Sequence, residues 1–137
     1  MRKILIVEDE SRMREILGIM IRLKGYETDF AENGKEGLNK ILRNHYDVVI
    51  SDINMPEMTG EELLDEVNRL NIPVSFIFIT AYGSIDSAVD SMRKGIFDYI
   101  SKPFEEERVL MAVERASNFA NLLAENVALK KELMNLK

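Results

Sequence analysis

The run Val48-Val49-Ile50-Ser51, set between Asp47 and Asp52, contains no charged side chain and only apolar or small residues. A strand that is apolar or small on both of its alternating faces has to be covered on both, which is the situation of a strand inside a parallel sheet with helices above and below. The rest of the chain meets that requirement. Lys3 to Val7 is a second buried strand, Phe76 to Ile79 a third that stops at Thr80, and Glu27 to Phe30 and Tyr99-Ile100 are shorter ones. Between them apolar residues recur at helical spacing. The first set is Ile16, Leu17, Met20, Ile21 and Leu23, with Gly25 as the expected C-cap; the second is Leu38, Ile41 and Leu42 after Asn33-Gly34. Leu63, Leu64, Val67 and Leu70 follow a capping box of Thr59 and Glu62 and end at Ile72-Pro73, and a fourth helix from Ser84 to Lys94 is closed by Gly95. A fifth begins near Glu105. Five strands alternating with five helices predict an α/β fold with a doubly wound, five-stranded parallel sheet of flavodoxin-like order 2-1-3-4-5.

Composition narrows what such a fold can be doing. With 137 residues, 46% hydrophobic and 31% charged, the chain holds one domain with a core that needs no staples, and it has no cysteine for a disulfide or a thiolate metal site. The start, MRKILIVED, turns acidic too soon for a signal peptide, and no apolar run approaches a membrane span. A soluble, cytoplasmic protein is expected, without membrane contact. The net charge of -6 argues against direct binding of nucleic acid.

In doubly wound sheets, sites form outside the carboxyl ends of the strands. The polar residues at those ends are Glu8 and Asp9, Asp52, Thr80 and Lys102. Asp52 alone could be a turn residue, held by Pro56 and Gly60 in the loop beyond it. The predicted order, however, makes the first and third strands neighbours, so Asp9 and Asp52 meet at the switch point. Carboxylates so close repel unless a cation joins them, and magnesium, a hard ion that takes oxygen ligands, answers that need. Asp52 can then stay ionised as a nucleophile, with Lys102 neutralising charge on a phosphoryl group and Thr80 adding a hydroxyl. Acyl-transfer chemistry has no base here: the lone His45 precedes the third strand, at the opposite edge of the sheet. Gly34-Lys35 lacks the flanking residues of a phosphate-binding loop. Asp52 and Asn54 open like a calcium loop, but Glu57 and Leu63 stand where glycine and a bidentate glutamate belong.

Taken together, Glu8-Asp9, DINMP from Asp52 to Pro56, Gly60, TAYGS from Thr80 and FDYISKPF from Phe97 to Phe104 make the sequence similar to two-component response-regulator receiver domains, over about Lys3 to Arg115. The resemblance implies that Asp52 accepts phosphoryl from the phosphohistidine of a sensor histidine kinase, as a switch that assists its own phosphorylation and dephosphorylation rather than a turnover enzyme. It also implies magnesium held by Asp9, Asp52 and the backbone carbonyl of Asn54, with Glu8, where many members have Asp, acting mainly through water. Thr80 and Tyr99 match the pair that reports the phosphoryl group to the surface around the fourth helix and fifth strand. The Lys102-Pro103 bond is expected to be cis, turning the ammonium back toward Asp52. Tyr82 and Asn54 should border the approach of hydrolytic water. TAYGS, SMRKGIFDYISKPF and the long trailing helix resemble the nitrogen-regulation type, which controls sigma-54-dependent activator ATPases. A haloacid-dehalogenase-like, magnesium-dependent phosphatase is the alternative, but it wants a second Asp where this chain has Asn54 and a nucleophile after its first strand.

Residues 1–117 are read as the receiver and 118–137 as a helical linker. Val109, Ala112, Val113 and Ala116 suit packing on the sheet, whereas Phe119, Leu122, Asn126, Leu129, Leu133 and Leu136 alternate steps of three and four like the a and d positions of heptads. Glu125 and Glu132 at g would face Lys130 and Lys137 at e. A parallel homodimer through the C-terminal helix is expected. The uncapped pattern at Lys137 implies a longer regulator with ATPase and DNA-binding domains beyond it.

Overall fold

In a computed structural model, the chain is described over residues 2–81 and 83–135, with the side chains of all helix positions there except 121, 123, 124 and 127. Tyr82, Leu136 and Lys137 lie outside the described residues. The elements run β1 (Lys3–Val7), α1 (Ser11–Arg22), β2 (Glu27–Ala31), α2 (Gly34–Arg43), β3 (Val48–Ser51), α3 (Gly60–Arg69), β4 (Ser75–Thr80), α4 (Ile85–Arg93), β5 (Asp98–Ser101) and α5 (Glu106–Asn135). The sheet is parallel throughout, in the order β2-β1-β3-β4-β5. This is the predicted doubly wound topology.

Strand periodicity divides the core into two layers. Ile4, Ile6, Val48, Ile50, Ile77 and Ile79 point to one face, where they meet Leu17 and Ile21 of α1 and Val109 and Val113 of α5. Leu5, Val7, Val49, Phe76 and Phe78 point to the other, against Ile41 of α2 and Leu63, Leu64 and Val67 of α3. All four residues of β3 are buried, as a strand covered on both faces must be.

Several apolar positions predicted to face the core do not. In α1 the buried side chains are Leu17 and, three and four residues after it, Met20 and Ile21, while Ile16 is exposed. Leu23 is 77% exposed because the helix ends there; the chain reverses two residues later at Gly25, whose φ of 93° favours glycine. Leu42 is likewise exposed at the last turn of α2. The helix α5 is unbroken across the expected division at 117/118. Its packing on the domain continues to Ser117 and Ala120, both buried, and Arg2 Nη1 donates to Ser117 Oγ at 2.7 Å and to Asn118 Oδ1 at 2.6 Å.

Candidate functional site

Backbone hydrogen bonds fix where the strands hand over to their loops. The Asp52 N–H donates to the Val7 carbonyl at 3.0 Å, the Glu8 N–H to the Ala31 carbonyl at 3.0 Å, and the Lys102 N–H to the Thr80 carbonyl at 2.8 Å. Each strand-end residue is thereby registered against a neighbouring strand, and the polar groups of the four loops gather at one edge.

Behind Asp52 the chain folds back closely. The Gly60 N–H donates to the Ile53 carbonyl at 2.8 Å, and a Cβ placed on Gly60 would lie 2.3 Å from the Asp52 carbonyl oxygen. Only glycine admits that approach. Glu57, in the same loop, takes the left-handed φ of 66°. Beyond it, both bonds of the predicted capping box are present, Glu62 N–H to Thr59 Oγ1 at 3.1 Å and Thr59 N–H to Glu62 Oε1 at 3.2 Å. The Asp52 carboxylate thus stands on a short loop between a buried strand and a capped helix.

The convergence expected from topology is observed. One carboxylate oxygen each from Glu8, Asp9 and Asp52 lies within 4.8 Å of the others. Lys102 Nζ is 2.9 Å from Asp52 Oδ2, and the Lys102-Pro103 bond is cis, as expected. The ammonium is also 3.1 Å from Glu8 Oε1, a second ion pair that sequence reasoning did not foresee. Glu8 is buried, Asp52 is partly covered and Asp9 is exposed. Burial, followed by the hydrogen bond and charge of Asp52, pushes the Glu8 carboxyl up to about 7, although Lys102 opposes the rise. Burial pulls the Lys102 ammonium down, yet its hydrogen bonds to Asp52 and Glu8 outweigh this and raise it. Three acids and one ammonium leave an excess of negative charge, and every donor in the cluster is a hard oxygen. That donor set fits magnesium.

The Asn54 N–H donates to Asp52 Oδ1 at 3.2 Å. Thr80 is buried at the end of β4, and Tyr99 pairs with Phe78 two positions earlier in the same register. The Tyr99 hydroxyl donates to Ser87 Oγ on α4 at 3.2 Å. His45 is exposed at the opposite end of β3, 3.6 Å from Asp47 and away from the cluster. Arg14 was missed in the sequence: its Nη1 donates to the Glu8 carbonyl at 2.8 Å, bracing the loop that carries two of the acids. Its one available signal is its place on the first turn of the helix that follows Glu8-Asp9.

A family profile described as response regulator receiver domain matches residues 4–114. The regulatory protein AtoC of Escherichia coli (strain K12) is 37% identical over 134 residues, covering 98% of this chain and 28% of that protein. The chain spans about a quarter of the length of AtoC and of the regulators GlrR and QseF of Escherichia coli, which it also matches. Among solved structures, the response regulator protein TrrA from Thermotoga maritima, in complex with Mg(2+)-BeF, superposes with a TM-score of 0.77 at 35% identity, covering 85% of this chain and 99% of that one. NtrX from Brucella abortus, in complex with ADP, gives 0.82 at 29% identity and covers all of this chain and 30% of that one.

Proposed function

Because the chain belongs to the response regulator receiver domain family, we propose that it is a phosphorylation-dependent switch whose phosphoacceptor is Asp52. The observation that carries this reading is the contact of Lys102 with Asp52 at 2.9 Å inside a cluster of three carboxylates at the sheet's carboxyl edge. An Asp52 oxygen forms a P–O bond as the P–N bond to a sensor kinase's histidine breaks, giving an acyl phosphate on the aspartate. Lys102, already within reach of both acids, shifts its charge to the phosphoryl oxygens. Asp9, Asp52 and the backbone carbonyl of Asn54 would hold magnesium, with Glu8 reaching it through water. When bound, the ion neutralises charge on the phosphoryl group. The Mg(2+)-BeF complex of the TrrA relative supports that assignment. Thr80 and Tyr99 relay the phosphorylated state toward α4 and β5.

The output we propose is a sigma-54-type activator ATPase, in keeping with the chain's similarity to receivers of the nitrogen-regulation type and its coverage of only part of the longer relatives. No helix among the described residues is long and apolar enough to cross a membrane, in keeping with action beside a cytoplasmic partner kinase. The test is incubation with a small phosphodonor and magnesium followed by intact-mass measurement. One labile phosphoryl group is expected on the parent and none on Asp52→Ala. Steady release of phosphate from many organic esters, without an adduct, would identify a phosphatase instead.

A further inference from the structure

Among the helices, α4 has the fewest buried residues. Its single buried side chain is Ser91, while Ile85, Val89 and Met92 are exposed. With so little apolar burial, a few polar bonds have to set its place. At its C-terminal end these reach α3: Asn68 Nδ2 donates to the Lys94 carbonyl at 2.8 Å, and Lys94 Nζ is 3.2 Å from Asp65 Oδ1. At its N-terminal end the hydroxyls do the holding. Ser84 caps the helix by accepting from the Ser87 N–H at 3.0 Å, and the Ser87 hydroxyl receives the Tyr99 O–H from β5 at 3.2 Å.

Tyr99 is itself confined on the other side. A Cβ on Gly83 would lie 2.8 Å from Tyr99 Oη, 2.9 Å from its Cε1 and 3.2 Å from Thr80 Cγ2. The aromatic ring therefore lies against bare backbone at position 83, in a slot between Thr80 and the first turn of α4. We infer that Ser87 is a positioning residue: its bond to the Tyr99 hydroxyl holds both the ring and the start of α4 in the resting arrangement. Any movement of Tyr99 out of the Gly83 slot breaks that bond and frees the least buried helix of the domain. The consequence for signalling rests on the phosphoacceptor reading above; the tie itself belongs to the unphosphorylated protein and is tested there.

Amide hydrogen exchange on the unphosphorylated chain decides the matter. Ser87→Ala and Tyr99→Phe each remove one hydroxyl of the bond, and each should lower protection of the amides of residues 88–93 about fivefold, with β1 amides unchanged. Helix preference alone predicts the opposite sign for Ser87→Ala, since alanine favours a helix over serine. Ser87→Thr keeps the hydroxyl and should restore protection. The double variant should lose no more than either single one, because both act on one bond. Gly83→Ala, which pushes the ring from its slot, should loosen α4 to the same degree. Unchanged or raised protection in Ser87→Ala, or additive losses in the double variant, would overturn the inference. Failure of the parent to gain a phosphoryl group is read separately by mass and bears on the phosphoacceptor reading alone.

Discussion

At Glu8, one methylene more than aspartate carries a carboxylate into a buried position between Lys102 and Asp52. Its pKa lies at about 7 in the folded protein against an ordinary 4.5, so folding favours the protonated form. The stability this group contributes is complete below about 4.5 and is lost as pH rises to about 7. Urea denaturation of metal-free protein across that window should show stability falling with pH, and Glu8→Gln should flatten the slope. Magnesium reverses the preference, because a cation favours the ionised acid, so its affinity should rise with pH through about 7 in the parent. Asp9→Asn should weaken magnesium binding without harm to the fold, since it also relieves repulsion. Phosphorylation of that variant with unaltered magnesium dependence would remove Asp9 from the ligand set. Gly60 tests the loop: Gly60→Ala drives a Cβ into the Asp52 backbone and should destabilise by roughly 1–3 kcal/mol, with slower phosphorylation of Asp52. These strand-end acids, Lys102 and Thr80 were legible because a parallel sheet puts its loop residues at one edge. The Glu8–Lys102 pair was not legible, since it joins side chains 94 residues apart and depends on the reach of each.

Elements whose sequence repeats matched one period formed where expected, and their ends were set by capping chemistry. For α3 the reciprocal bonds of Thr59 and Glu62 satisfy backbone donors that would otherwise be exposed. Thr59→Ala should lower global stability by about 1 kcal/mol, read by thermal or urea unfolding, and should loosen the loop that carries Asp52. Where reading by period erred, the cause was local. Ile16 and Leu23 were counted into a stripe that the actual rotation and end of α1 leave in solvent. The placement of α4 could not be read from apolar spacing, because its ties are hydroxyls and a lysine rather than a buried face. Likewise, nothing in the period of α5 signals that Arg2 grips Ser117 and Asn118 from the opposite end of the sequence.

At the scale of the whole molecule, α5 divides into a packed part and an exposed part. Up to Ala120 it is part of the domain, and Phe119, read as the first seam residue, rests its ring 5.6 Å from that of Phe97. The free stripe therefore starts later, at Leu122, and continues through Asn126, Leu129 and Leu133. The three leucines are 58%, 55% and 62% exposed in the single chain, and Asn126 is exposed beside them. A helix of this length beyond the domain has little to hold it in water, since stretches under about 12–15 residues are marginal without packing. A second copy would provide that packing: leucines would meet leucines, the Asn126 amides would pair at an a position, and Glu125 would face Lys130 of the other chain. We expect a parallel dimer whose affinity is modest, because the seam contains under three heptads. Leu129→Lys should leave monomers, since it places two ammonium groups in the seam. Asn126→Leu should tighten association and relax register or strand number, because the buried amides specify pairing at the expense of stability. Sedimentation of the unphosphorylated chain over a concentration series reads both outcomes, and a monomer at high micromolar concentration, unmoved by either substitution, rules the dimer out.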